Sequence, residues 1–172
     1  MSAPSGELLS FLTGLRAVKE YTADPIPEPI IESVLEVGRW TGTGSNRQPV
    51  EVVVIRDAAL KQQCGEWGAK PAATAAVVLL LVVANDGSAL DEGRMAERLC
   101  LGAAANGLGS TVATLKNEGP DAIKQQLGIP AEHRARTVIA IGKIDTEARK
   151  NRVRTVQGGR KPLSEYAHWD RW

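Results

Sequence analysis

One globular domain of mixed α/β order is what this sequence predicts, and three observations predict it. The chain has 172 residues, 43% of them hydrophobic, enough to bury a real core and too apolar for a disordered chain. Its longest apolar run, Ala75 to Ala84, is too short to span a bilayer and reads as a strand buried on both faces. The other apolar residues fall into stretches of helical spacing set between short strand-like runs. The count is four strands and about five helices within a single domain, residues 1–172.

Taken in order, Glu7 to Leu15 forms a helix with Leu8, Leu9, Leu12 and Leu15 at helical spacing. Arg16-Ala17-Val18-Lys19-Glu20-Tyr21 carries the chain out of it. Pro25, Pro27 and Pro29 force an extended crossing, because each proline disfavours helix at the residue before it. Such an arm runs over a surface, its own or a partner's. Pro29 suits the first turn of the next helix, which buries Ile30, Ile31, Val34, Leu35 and Val37 and ends near Gly42. Val50 to Ile55 is the first strand, and Asp57 caps a helix running through Leu60 to about Trp67. Ala76 to Val83 is the second strand.

Asn85-Asp86-Gly87-Ser88 is a turn and cap for a long helix that carries Leu90, Met95, Leu99, Leu101 and the small stretch Gly102-Ala103-Ala104-Ala105. Asn106-Gly107 ends it by a left-handed cap. Gly109 to Leu115 is the third strand and Pro120 to Leu127 a short helix, stopped by Gly128-Ile129-Pro130. Thr137 to Ile141 is the last strand. The tail from Lys143 to Trp172 is first basic, with Arg149, Lys150, Arg152 and Arg154, then aromatic, with Tyr166, Trp169 and Trp172. Three aromatics at the end of so long a tail predict that it packs, on this chain or on a second subunit.

Several function classes fall away. Twenty-one basic residues against 20 acidic leave a formal charge of +1, which gives no electrostatic case for nucleic acid or an anionic membrane. The N-terminus, Met1-Ser2-Ala3-Pro4-Ser5-Gly6-Glu7, is not a secretory signal. Cys64 and Cys100 form no CxxC pair and sit in apolar helical patterns, so a reduced cytoplasmic protein with buried thiols is expected. Neither His133 nor His168 has a Cys or second His at metal spacing, which argues against zinc or iron. No GxSxG elbow is present, and Gly107-Leu108-Gly109 fails the Rossmann context because it follows no strand. The loop Gly42 to Gln48 contains no GK[ST], so it is not a P-loop. Carboxylates are scattered, with no pair set for acid–base work. An enzyme so poor in nucleophiles and proton shuttles is expected to borrow its chemistry from an organic cofactor.

Three clusters could hold such a cofactor. Arg16 and Lys19, two cations three residues apart beside a helix end, can grip a phosphate, though a solvated basic corner has the same composition. Thr41-Gly42-Thr43-Gly44-Ser45-Asn46-Arg47-Gln48-Pro49 offers hydroxyls, two amides, glycines and a guanidinium without a carboxylate. That chemistry suits a planar heteroaromatic ring or a phosphate, and the same residues also make ordinary caps and turns. The third is Arg160 in Gln157-Gly158-Gly159-Arg160-Lys161-Pro162, where glycines let the backbone close in while a guanidinium reaches an anion.

In this order the clusters resemble the FMN-dependent nitroreductase family, from about Leu8 to Trp172. The family's Arg-Ser-x-Arg-x-Phe motif resembles Arg16-Ala17-Val18-Lys19-Glu20-Tyr21, and its Pro-rich crossing Asp24-Pro25-Ile26-Pro27. Its Pro-Ser-x-x-Asn-x-Gln-Pro-Trp loop resembles Gly42-Thr43-Gly44-Ser45-Asn46-Arg47-Gln48-Pro49-Val50. Its long helix ending in Gly-Leu-Gly resembles Asp91 to Gly109. Its Leu-Gly-Ile-Pro with the strand that follows resembles Leu127-Gly128-Ile129-Pro130 and Ile139-Ala140-Ile141-Gly142, and its Arg-x-Pro-Leu resembles Arg160-Lys161-Pro162-Leu163.

The resemblance implies an α+β fold, a three-layer α-β-α sandwich with a mostly antiparallel central sheet, in an intertwined homodimer with FMN at the interface. It implies that Arg16, Ala17, Lys19 and Arg160 surround the FMN phosphate. Thr43, Gly44, Asn46 and Gln48 would reach the flavin from the other subunit. Thr114, Leu115 and Lys116 would lie by the isoalloxazine, with the Lys116 backbone amide bonding N5 and Arg47 or Lys70 near N1. NAD(P)H would supply hydride, and a nitroaromatic, quinone or similar small acceptor would take it. No side chain need act as acid or base. Two other outcomes stay open: a specialised flavin enzyme of the same fold (a dehalogenase, an azoline-oxidising dehydrogenase or a flavin-destroying type) and a flavin-binding protein without turnover. Ala17 stands where the family has Ser, Val50 where it has Trp, and Thr43 where it has Ser. The segment between the second and third strands is little more than one helix, so no extended substrate lid is expected.

Overall fold

The most apolar segment of the chain becomes the centre of the molecule. The computed structural model describes residues 6–151 and 159–172; Met1–Ser5, Arg152, Arg154, Gln157 and Gly158, named above, lie outside them. Four strands form one sheet: β1 (Val50–Ile55), β2 (Val77–Val83), β3 (Gly109–Thr114) and β4 (Arg134–Gly142). Their order is β1-β2-β4-β3, with every pairing antiparallel. All seven residues of β2 are buried, as an unbroken Val/Leu run requires when both faces are covered.

Side chains alternate across the sheet, and the two faces collect two separate cores. Val77, Leu79, Leu81 and Val83, with Ile139 and Ile141, pack on Ile31, Val34, Met95, Leu99 and Ala103. Those partners belong to α2 (Glu28–Arg39) and α4 (Ala89–Ala105). Val78, Leu80 and Val82, with Val138 and Ala140, pack on Tyr21, Cys64, Ala72 and Ile123. Cys64 lies on α3 (Ala58–Glu66) and Ile123 on α5 (Gly119–Leu127). The result is the three-layer α+β sandwich, with helices on both sides of an antiparallel sheet. Each fully buried Leu or Ile contributes about 1.5–3 kcal/mol of transfer free energy.

Local chemistry sets the helix ends. The Asp57 carboxylate accepts the Leu60 N–H at 2.7 Å, and the Ser88 hydroxyl accepts the Leu90 N–H at 3.0 Å, caps worth about 1 kcal/mol each. Gly107 and Gly128, at φ +70° and +66°, supply the left-handed conformations that follow α4 and α5. The second helix stops at Arg39, earlier than its apolar spacing suggested. Trp40 leaves helical geometry, and the Thr41 hydroxyl closes the turn by donating to the Gly38 carbonyl at 2.6 Å. β4 begins three residues before the expected Thr137, at Arg134. Polar Arg134 and Arg136 hid that extension from a pattern read by apolarity. Two short helices, α6 (Thr146–Lys150) and α7 (Leu163–Tyr166), lie in the tail.

The segment leaving α1 (Gly6–Gly14) is pinned across the sheet by Tyr21. Its phenol donates to the Val18 carbonyl at 2.6 Å, with the Ala140 carbonyl at 3.0 Å. A Cβ on Gly142 would lie 2.8 Å from the Tyr21 ring, so β4 passes under the arm only because that residue has no side chain. The aromatic tail does not pack on its own chain: Tyr166, Trp169 and Trp172 are exposed, and its ring contact is internal, His168 stacked on Trp172 at 4.4 Å. Among the described residues no helix is long and apolar enough to cross a membrane.

Candidate functional site

The open edge of β3 organises the site. Hydrogen-bonded and non-bonded pairs alternate along an antiparallel ladder. Leu115 N–H donates to the Arg136 carbonyl at 2.8 Å, so the neighbouring Thr114, like Val112, turns its amide to the open edge. Further up the same edge, the Ser110 carbonyl accepts the Val18 N–H at 2.9 Å. The arm that carries Arg16 and Lys19 is thereby laced onto this edge and stops short of Val112. Val112 is 45% exposed, unusual for valine in a sheet, because the edge beyond Ser110 has no hydrogen-bonded neighbour among the described residues.

Two cavities meet at Val112. One, of about 500 Å³, is lined by Lys19, Lys70, Pro71, Ala113, Thr114 and Lys116 with Gly68, Thr74 and Val112. No carboxylate lines it, and none of its three lysines forms a salt bridge among the described residues. Lys70 opens a short 3-10 turn, Lys70–Thr74, whose backbone places it opposite the β3 edge. The other cavity, of about 320 Å³, is lined by Leu15, Arg16, Ala17, Glu97, Cys100, Ser110 and others. Arg16 caps α1 there, its Nη1 donating to the carbonyls of Thr13 and Leu15 at 2.8 and 2.6 Å. A guanidinium carries five N–H donors, so others remain for a ligand. Burial raises the Cys100 thiol above its ordinary value, which makes it a neutral wall and not a nucleophile.

Among the expected site residues, Lys19, Thr114 and Lys116 share one cavity, and Arg16 and Ala17 line the adjoining one. Thr43, Gly44, Asn46 and Gln48 line neither, and nor does Arg160, whose guanidinium is exposed and donates to the Gly159 carbonyl at 3.0 Å. Two expectations need correction. The Lys116 amide is engaged: it donates to the Trp67 carbonyl at 2.7 Å. Trp67 follows the end of α3, where helix carbonyls lack partners of their own, and the chain leaving β3 satisfies one. Leu115 is a core residue, 2% exposed, with its amide spent on Arg136. The amide that faces the cavity edge is Thr114's.

The loop before β1 is held in a demanding shape. Ser45, Asn46 and Gln48 have φ of +51°, +53° and +51°, a region that costs non-glycine residues of order 1–3 kcal/mol each. Three bonds impose it: Asn46 N–H to the Thr43 carbonyl at 3.0 Å, Arg47 N–H to the Gly44 carbonyl at 3.2 Å, and Gln48 N–H to the Thr43 hydroxyl at 3.0 Å. Arg47 pairs with Asp86 at 3.3 Å, which fastens the loop to the turn before α4.

Sequence reading missed Glu92, Arg134 and Arg136 as cavity-lining residues, and raised Lys70 only as an alternative to Arg47. Each looks like surface charge in one dimension. The signal was the run Arg134-Ala135-Arg136, an alternation of the kind a strand makes.

Comparison with known proteins bears on the same segments. The nitroreductase family model matches residues 12–86, which hold the Arg16–Tyr21 segment, the Thr41–Pro49 loop, β1 and β2. A Thermus thermophilus NADH dehydrogenase is 35% identical over 68 residues, 38% of this chain and 33% of that protein. An iodotyrosine deiodinase from Nematostella vectensis is 32% identical over 66 residues, 38% of this chain and 25% of that protein. The matched stretch thus spans a third or less of either relative. Solved structures agree over the whole fold. An FMN-dependent nitroreductase from Clostridium difficile R20291 superposes with a TM-score of 0.79 at 17% identity, over 95% of this chain and 99% of the other. Nitroreductase A from Vibrio parahaemolyticus gives 0.83 at 19% identity, over 98% and 77%. The hypothetical oxidoreductase YcnD from Bacillus subtilis gives 0.84 at 18% identity, over 98% and 75%. The nitroreductase family model thus matches the N-terminal half of the chain, and these solved structures share its fold along its length.

Proposed function

We propose that this protein is an FMN-dependent oxidoreductase that passes hydride from NAD(P)H to a small acceptor such as a nitroaromatic or a quinone. The observation that carries the reading is the carboxylate-free cavity of Lys19, Lys70 and Lys116 beside the open Thr114 edge. Its charge fits a group that is anionic at its phosphate and gains negative charge on its ring when reduced. When bound, FMN would supply the two-electron chemistry that the side chains lack. Arg16 and Lys19 would hold the phosphate from the arm, with Arg160 as a third cation. The Thr114 N–H would donate to the ring edge, and Lys70 would stabilise negative charge on the ring. Ala17 contributes no hydroxyl. No residue is asked to move a proton.

The pre-shaped loop Thr43–Gln48 stands apart from these cavities in one chain, and a second copy would deliver it. Leu9, Phe11 and Leu12 of α1, with Trp169 and Trp172 of the tail, are exposed and form the apolar surface that a homodimer would cover. Names among the relatives support the same chemistry: one neighbour is an FMN-dependent nitroreductase and one relative an NADH dehydrogenase. One second reading has a specific observation behind it. Ala17 and the engaged Lys116 amide remove two expected flavin contacts, which favours flavin binding without turnover.

A visible spectrum of the purified protein, with analysis of the supernatant after heat release, tests the cofactor. FMN at about one per chain is the expected result. Anaerobic addition of NADH or NADPH then separates the readings: bleaching of the flavin supports the oxidoreductase, and an unbleached flavin supports the binding protein. A colourless protein that takes up no added FMN overturns both.

A further inference from the structure

The lysine-lined cavity holds more positive charge than the cofactor uses. Arg16 and Lys19 answer a phosphate, and Lys70 answers the single negative charge of a reduced ring. Lys116 is left over, and it is seated rather than loose. Its N–H donates to the Trp67 carbonyl at 2.7 Å. Its stem lies over Gly68, where an added Cβ would meet Lys116 Cγ and Cδ at 3.2 Å. Lys70 stands between Ala69 and Ala72, both fully buried. The Val18 N–H, bonded to the Ser110 carbonyl at 2.9 Å, fixes the backbone beside Lys19. Glu20 accepts the Lys19 N–H at 3.3 Å and does not line the cavity. Three segments far apart in the chain thus bring three lysines to about 500 Å³ with no carboxylate on its walls. A third cavity, of about 390 Å³, borders the same Val112 and Thr114 on the α4 side and makes the contrast. There Glu92 already pairs with Arg134 at 3.2 Å. Like charges gathered without an internal partner repel one another and draw in anions.

We propose that Lys116 selects the electron acceptor by charge, and that the acceptor is a small aromatic compound bearing an anionic group, a carboxylate or a sulfonate. Pro71 and Val112 give its ring an apolar wall, and the Lys116 ammonium pairs with the anion. That the bound molecule acts as an acceptor rests on the flavin reading; the binding of an anionic aromatic does not. With a nitro compound the overall reaction consumes NAD(P)H and one solvent proton and yields the nitroso compound, water and NAD(P)+. The three lysine side chains are exposed, so salt should screen the attraction.

The test uses the purified full chain and two acceptors alike in shape and different in charge, 4-nitrobenzoate and 4-nitrobenzamide. Both are read on the same protein, so the ratio of their kcat/KM values cancels any loss of flavin that a lysine substitution causes. Lys116→Gln is expected to lower the benzoate-to-benzamide ratio about 10-fold. Raising salt from about 50 mM to about 500 mM should lower the wild-type ratio in the same direction. Lys116→Arg keeps the charge and should hold the ratio within about 2-fold of wild type. Calorimetric titration with benzoate and benzamide reads the same preference without turnover, and thermal unfolding scores the folding of each variant. A ratio unmoved by Lys116→Gln and by salt overturns the charge selection. An equal fall in Lys116→Gln and Lys116→Arg assigns the effect to packing over Gly68 and overturns it too. Lys116-dependent binding of benzoate in a protein that holds no FMN keeps the anion site and defeats the flavin reading. Reducible FMN with a ratio indifferent to Lys116 does the reverse.

Discussion

β2 and β3 belong to one antiparallel sheet and do opposite work. β2 lies between two strands, buries all seven of its residues and carries no polar side chain. β3 lies at the edge, buries its first three residues, and leaves Val112 and Thr114 facing three cavities. The hydrophobic effect accounts for β2 entirely. β3 is governed by something else: an unpaired row of N–H and C=O groups is a liability that proteins usually cover. Here the arm through Val18 covers the upper part and the lower part stays open. If the open edge is where a ligand binds, as proposed, strand position separates stability from recognition, and substitutions should separate them as well.

The sharpest test of that separation sets Leu80→Ala against Val112→Ala. Leu80 is fully buried, and its truncation should cost about 2–5 kcal/mol in urea unfolding. Val112→Ala should cost less than about 1 kcal/mol. Equal losses would mean that the open edge is part of the core. Proline gives a finer cut within two adjacent residues. Leu115→Pro removes a ladder bond and a core side chain, so a loss of about 3 kcal/mol or more is expected from denaturation. Thr114→Pro removes an amide that faces the open edge, where proline is tolerated. It should keep the thermal transition near wild type and release flavin more readily during dialysis.

The covered part of the sheet also predicts a pH response. Burial raises the Tyr21 phenol above its usual value, and pushes the Cys64 thiol from 9.0 up to about 11. Both groups are acids held neutral in the fold. Their contribution is complete below the unfolded values, near pH 9 for the thiol and pH 10 for the phenol. It is lost as the unfolded chain ionises first. Stability should therefore fall above about pH 9 by up to about 1.4 kcal/mol per pH unit for each group. Cys64→Ala should make that fall shallower without moving its onset, since burial raises the Cys100 thiol as well, readable from thermal transitions across pH. The smallest effects on stability belong to the cavity. Lys70→Gln and Lys116→Gln should leave the thermal transition unchanged and each weaken FMN about 10-fold in fluorescence titration, the size of one charge-assisted contact. A stability loss matching the affinity loss would show that the lysines support the fold.

Much of the fold was legible because it depends on local pattern. Val50–Ile55 was read to the residue, since turn chemistry flanks it on both sides. Asp57, Ser88, Gly107 and Gly128 announced helix ends through residue types that few other positions need. The site was legible in part. Arg16, Lys19 and the Thr43–Gln48 loop stood out as motifs, and the structure puts Lys19 with Thr114 and Lys116. The engagement of the Lys116 amide was not legible, because the fate of an amide depends on which neighbour lies across from it. Trp67 is far away in sequence, and no spacing rule links its carbonyl to Lys116. Glu92, Arg134 and Arg136 were invisible for the same reason: a charged residue declares a role only when its partners are known.

The amino-acid sequence by itself determined the elements, their apolar faces and the burial of β2, because periodicity and capping are short-range properties of the chain. Only the tertiary structure decided the strand order β1-β2-β4-β3, and with it which strand lies at the edge. That order is set by long-range pairing and by packing on both faces. Edge position is what turns the Thr114 amide outward and brings three separated lysines around one cavity.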